Sequence, residues 1–467
     1  MKRYKLLKTI LTTIAVFVVL TYLIPATNIG YETVEKARMV IGLWDLPDYF
    51  IRSFAYFGHL AVFILVVGGF YGVLNYTGAY QELVTQIVKK FKGKEHYFLI
   101  YIMVMLAVIS SFAGVSLPLF FLIPFIITVI LLLGYDRLTA LAVPFGSILV
   151  GVMGSTYAND VIGVISEALA IDFKAGLISR LFLLLVALTL LILYVLKRVR
   201  KSGRGRRKKE NIFIDPLYFG NEGAKKSIWP IVIIIDLVLL LMIIGSLAWQ
   251  QAFGIAWFEN IYQSIMEFKI FKVAVFSKVL GQIAPFGYWT VKDYIILILL
   301  ATTIIALIYK LKFDDFIEAF IKGSKTFLSL AVMVILIYVV LFIATYHPFH
   351  VTIIKGMFGL TPKFNVVIMT LTTLISAPLF VDITYSAYSN LTVIKDLVTE
   401  ANILPVVGFI FQSVCGLTML VAPTSVLLII GLEYLKVPYI KWLGYIYRFC
   451  LYLLAFVVVT ATVLTFL

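Results

Sequence analysis

Cysteine, histidine and charge are all scarce in this chain. Only Cys415 and Cys450 occur, both inside apolar runs, which excludes a disulfide framework and a thiol-rich metal site. The four histidines are scattered and are not read as a metal-ligand set. No resident metal and no cofactor are expected. There is no Gly-x-x-x-x-Gly-Lys-Ser/Thr phosphate loop, so ATP does not drive this chain directly. Nor is there a Gly-x-Ser-x-Gly or His-Glu-x-x-His string, and Ser155 and Ser425 have no His or Lys base nearby in sequence, which speaks against an intramembrane hydrolase. Charged residues make up 13% of the chain, against about 25% in a soluble domain.

Apolar residues make up 62% of the chain, and the mean hydropathy is +1.05. The runs are unbroken for far longer than the alternating segments of about ten residues that a β-barrel needs. The fold class is therefore an all-α polytopic membrane protein embedded in a lipid bilayer, with room for roughly ten spans of about 20 residues. The net charge of +15 is concentrated at Lys2 to Lys8, at Lys89 to Lys94 and between Lys197 and Lys209, where nine of thirteen residues are Lys or Arg. Basic excess in short loops marks the cytoplasmic side and attracts anionic headgroups. It is read as topology, with no nucleic-acid partner. The N-terminal MKRYKLLK and the apolar run after it resemble a signal peptide, but the run is long enough to span. It is read as an uncleaved first helix with the N-terminus inside the cytoplasmic (plasma) membrane.

Two short polar breaks inside long apolar stretches carry most of the functional information. One is Gly154-Ser155-Thr156-Tyr157-Ala158-Asn159-Asp160. The other is Pro423-Thr424-Ser425, preceded by Gln412-Ser413 and Gly416. Irregular backbone at bilayer depth is tolerated only where protein buries it or where it lines a wet cavity. A pair of such interruptions in matching halves points to a secondary transporter with its binding site between them.

The breaks organise the chain. A first repeat, residues 1–196, contains a candidate re-entrant hairpin at about 97–134 and a broken helix at about 139–173. The hairpin segment also reads as two full spans, and charge placement does not separate the two readings. A basic cytoplasmic linker, 197–227, follows. The second repeat, 228–467, contains a candidate hairpin at about 364–402 and a broken helix at about 404–432. Counting crossings from an inner N-terminus gives about nine spans plus two hairpins. The order hairpin, broken helix, span then recurs in opposite orientation, as inverted-topology repeats do. Gln250 to Lys292 reads as partly amphipathic and interfacial.

A broken helix exposes unpaired N–H groups on one side and C=O groups on the other. The first end attracts anions and the second coordinates small cations. Ser155, Thr156 and Asn159 are expected to form one half-site with Ser110, Ser111 and Ser116. Thr424, Ser425, Gln412 and Ser413 are expected to form the other with Ser386, Ser389 and Asn390. Na⁺ near Ser155, Asn159 and Thr424, or H⁺, is the expected coupling ion. Against this stands the plainer reading that small and hydroxyl residues let helices pack. Asp160 and Asp382 are the ionisable residues placed deepest, and such residues are functional candidates by default. They tilt the expected small organic ion substrate towards amino acids or peptides and away from dicarboxylates. A passive channel is the remaining alternative; it lacks saturable, counterflow-competent flux.

Three stretches resemble a known family: Gly68 to Glu95, Leu133 to Thr156, and Ala422 through Lys436-Val437-Pro438-Tyr439 to Leu443. They are similar to the YfcC family of basic amino-acid antiporters. Behind it stands an ion-transporter superfamily of anaerobic C4-dicarboxylate, AbgT aminobenzoyl-glutamate and sodium-coupled dicarboxylate carriers. The resemblance implies an elevator-type movement and a homodimer. The chain departs from the family pattern where Ser116-Leu117-Pro118-Leu119 replaces an acidic pair, and where Val414-Cys415-Gly416 replaces an acidic residue before the second break.

Overall fold

The structure is a computed structural model that describes residues 5–27, 40–202, 226–270, 273–281 and 283–466. Most of the basic linker expected at 197–227, and the outer segment carrying Glu32 and Glu35, lie outside the described residues. The protein is nearly all helical. One antiparallel pair of two-residue strands, Lys269–Ile270 and Val273–Ala274, accompanies it.

Nine helices among the described residues are long and apolar enough to cross a membrane. The number matches the expected nine spans but the membership differs. Glu95–Ala113, an arm of the first hairpin, is among the nine. The first broken helix is not, because its break divides it. Glu95–Ala113, the 3₁₀ turn Pro118–Phe121 and Ile123–Leu132 form the first hairpin. Val366–Ser376, the 3₁₀ turn Ala377–Leu379 and Ile383–Leu397 form the second. Each is followed by a broken helix and then by a 26-residue helix, Leu177–Ser202 or Tyr439–Leu464. Five apolar segments lie between the hairpins, 137–169, Leu177–Ser202, Trp229–Ser246, Val291–Ile308 and Leu328–Tyr346; five crossings would put the hairpins on opposite faces, the arrangement of an inverted repeat.

Several polar segments are helical. Asp45 and Asp48 begin the 33-residue helix Asp45–Thr77, about 50 Å long at 1.5 Å per residue. That exceeds the hydrocarbon thickness of about 30 Å, so the helix tilts or extends beyond it. The acidic inner segment around Asp314 is the helix Phe313–Thr326, packed along Asp45–Thr77. Glycine makes this possible. A Cβ at Gly72 would lie 2.2 Å from the Ala319 carbonyl oxygen, and one at Gly323 would lie 2.1 Å from that of Gly68. Helices this close need small residues at the crossing. The basic stretch before Arg448 is also helical, since the last helix starts at Tyr439. The polar run from Asp382 to Thr392 is helical beyond its cap, with Asp382 accepting from the Tyr385 N–H at 3.0 Å at the start of Ile383–Leu397. Trp257–Glu267 is amphipathic in sequence and none of its residues is buried.

Candidate functional site

At the first break, the helix Arg137–Leu141 passes through a π turn at Ala142–Gly146, where Pro144 lacks an N–H. It continues as Ser147–Met153 and stops at Gly154. The freed backbone groups are taken up by Ser111, the third residue from the end of the first hairpin arm. Its carbonyl accepts from the Thr156 N–H at 2.8 Å, from the Thr156 hydroxyl at 3.2 Å and from the Ser155 hydroxyl at 3.3 Å. Its own hydroxyl donates to the Gly154 carbonyl at 2.7 Å. Ser111, Gly154, Ser155 and Thr156 are thus brought together. Ser110 turns instead to the Ile148 carbonyl at 2.9 Å and stands 3.4 Å from Ser116. Asn159 is half-buried beside Gly163.

Gln412 departs from its expected place. Its sequence position groups it with the second break, but its amide donates to the Met153 and Ser155 carbonyls of the first, at 2.9 and 3.0 Å. The helix Leu404–Met419 packs against Ser147–Met153. Gly416 allows this, since a Cβ there would meet the Met153 backbone at 3.0 Å. Gly154 has the same role toward the backbone of Leu184. Ser413 donates to Phe409 in its own helix at 2.5 Å and joins no half-site.

The second break is closed by other partners. Thr424 donates to the Pro378 carbonyl at 2.8 Å, and the Val426 N–H to the Val381 carbonyl at 3.3 Å, both at the tip of the second hairpin. Ser425 caps Val426–Tyr434, and Pro423 sits in the irregular stretch before it. The Leu420 carbonyl accepts from the Trp442 indole at 2.7 Å, and the Val421 carbonyl from the Tyr439 hydroxyl at 2.5 Å. Sequence reasoning misses these aromatic donors, because they belong to a helix whose start is hidden by basic residues. Ser386 accepts from the Asn390 amide at 3.0 Å. Asn390 Oδ1 and Ser376 Oγ are buried without a partner, while Ser389 is half-buried.

Asp160 and Asp382 meet between the halves. The Thr384 hydroxyl, two residues after Asp382, donates to the Asp160 carbonyl at 2.9 Å. The two carboxylates lie within electrostatic range of each other, and neither forms an ion pair among the described residues. Asp160 is exposed and Asp382 half-buried as residues, with Asp160 Oδ1 against Gly114 and Asp382 Oδ1 held by the Tyr385 N–H. Aromatic side chains surround them. Tyr294 lies in the field of Asp160, and Tyr338 and Tyr385 in that of Asp382. Phe57 stacks on Tyr338 at 4.1 Å and meets Tyr385 edge-on at 5.8 Å. Each of these aromatics is unremarkable in an apolar run, so the sequence carries no signal for them.

The model of the C4-dicarboxylate anaerobic carrier family (DcuC) matches residues 32–467. The chain belongs to this family. Nine of its described helices are long and apolar enough to cross a membrane, in keeping with membership of a carrier family. An uncharacterized protein of Haemophilus influenzae is 28% identical to this chain over 172 residues, which is 37% of this chain and 33% of that protein. The chain thus spans about a third of the length of the curated relative it matches. Among solved structures, the YdaH transporter of Alcanivorax borkumensis is similar, at 14% identity and a TM-score of 0.42 over 98% of this chain and 97% of that one. The MtrF protein of Neisseria gonorrhoeae, described with a class of antimetabolite efflux pumps, is similar at 14% identity and 0.41, over 97% and 94%.

Proposed function

We propose that this transporter is a secondary active carrier for a small organic ion bearing an amine, such as an amino acid or short peptide. The observation behind this is the pair Asp160 and Asp382, two neighbouring carboxylates with no ion pair among the described residues. Unpaired charges at bilayer depth are costly; a bound ammonium group offsets one of them, and a second ammonium or a coupling cation the other. The resemblance to basic amino-acid antiporters supports the same reading. The hairpins and broken helices would move as one unit against the helices packed around Asp45–Thr77, in an elevator-type step within a homodimer. Na⁺ or H⁺ is the proposed coupling ion, and the unpartnered Asn390 Oδ1 is an oxygen suited to Na⁺.

Family membership favours a second reading, a Na⁺-coupled C4-dicarboxylate carrier. There the two aspartates would hold the coupling cations that neutralise a dianion. The test is the melting temperature of detergent-purified protein against amino acids, dipeptides and dicarboxylates, with and without Na⁺. A ligand at a hundredfold its dissociation constant adds about 2.7 kcal/mol to the folded state. A shift with cationic amino acids supports the first reading. A Na⁺-dependent shift with dicarboxylates alone overturns it in favour of the second. Counterflow in proteoliposomes then separates either carrier from a channel.

A further inference from the structure

Arg180 lies in the first turn of Leu177–Ser202 and is only 4% exposed. Its Nη2 donates to the Phe173 carbonyl at 3.0 Å, and its Nε has no partner. No carboxylate forms an ion pair with it among the described residues. A guanidinium keeps its charge under all ordinary conditions, and removing an unpaired charge from water costs several kcal/mol unless an opposite charge meets it.

The side chain lines a small cavity. Its other walls come from both repeats: Ile165, Ser166 and Ile171 from the outer part of the first broken helix and its end, and Gly408 and Gln412 from Leu404–Met419. The volume open to the centre of a water-sized sphere is about 10 Å³, room for one water-sized particle and no larger polyatomic group. Gly408 keeps the cavity narrow. A Cβ there would already be 3.3 Å from Ile165 and Leu169. Gln412 also donates to the first break (Met153 and Ser155), so the cavity sits one layer from that break.

We infer that this cavity is a binding site for a monatomic anion of the chloride class, held by Arg180 with the Ser166 hydroxyl as a second donor. A water satisfies Nε but leaves the charge unmatched. A substrate carboxylate needs more room than one atom's centre. The anion would tie the end of the first broken helix, through Ser166, to the helix Leu177–Ser202, through Arg180, beneath the lining face of Leu404–Met419. This site is separate from Asp160 and Asp382 and does not depend on which substrate they take.

The test compares melting temperatures of the full-length purified protein in sodium chloride and in sodium gluconate at equal Na⁺. Anomalous diffraction from bromide-exchanged crystals accompanies it. Chloride is expected to raise the wild-type melting temperature by roughly 2–4 °C, and Arg180→Met to remove the difference. Bromide density beside Arg180 is expected in the wild type, which decides the matter even where Arg180→Met fails to fold. Equal melting temperatures with no density at Arg180 overturn the site. So does a chloride shift with bromide bound elsewhere. A dicarboxylate shift in gluconate that Arg180→Met abolishes, with no bromide at Arg180, reassigns the guanidinium to substrate and also overturns it.

Discussion

Gln412, in the second broken helix, donates to the carbonyls of Met153 and Ser155 at the break in the first. One half of the protein therefore completes the backbone hydrogen bonding of the other. Gln412→Leu would leave two buried carbonyls unpaired, at roughly 1–3 kcal/mol each. We expect a clear fall in melting temperature and loss of uptake. Gln412→Glu, which keeps the shape but loses the donating N–H, should fare no better. A wild-type melting curve for Gln412→Leu would mean that water replaces the amide.

Asp160→Asn and Asp382→Asn should each abolish or uncouple transport while leaving the protein folded, because Asn keeps the size and the accepting oxygen of Asp and removes only its charge. The measurement is counterflow in proteoliposomes together with the thermal shift on substrate addition. If either variant keeps wild-type affinity and ion dependence, that aspartate has no part in substrate or coupling-ion binding.

Gly114 has a φ of +75°, and a Cβ there would stand 2.0 Å from Asp160 Oδ1. Gly114→Ala should shift the Asp160 carboxylate as well as add left-handed strain of about 1–2 kcal/mol. Gly134→Ala is the control. Its φ is +92° but nothing lies within 4 Å, so it carries the strain alone. Uptake by the two variants at matched expression should differ sharply, and equal loss would reduce Gly114 to a turn residue.

Gly72→Leu should drive Phe313–Thr326 away from Asp45–Thr77 and prevent stable folding, since even a methyl there meets the Ala319 carbonyl. On the same helix, a Cβ at Gly58 would have nothing within 4 Å. Gly58→Ala should be neutral or stabilising by up to about 1 kcal/mol. Size-exclusion profiles after solubilisation would distinguish the two.

Composition, hydropathy and the placement of Lys and Arg were enough to read a polytopic helical membrane protein with two breaks, each preceded by a candidate hairpin. The reason is that the bilayer imposes span length and forbids unpaired backbone, constraints written along the chain. Asp160, Ser111 and Thr156 were also legible, since a polar residue deep in an apolar run has few structural uses. Tertiary structure alone decided the partners. Gln412 serves the opposite break because the helix Leu404–Met419 crosses Ser147–Met153 at Gly416, a contact between residues more than 250 positions apart. Trp442, Tyr439, Phe57 and Tyr338 reach the breaks or the aspartates in the same way. Their types are common in any membrane helix, and only the packing of distant helices, which leaves no periodic mark in the sequence, gives them a place at the site.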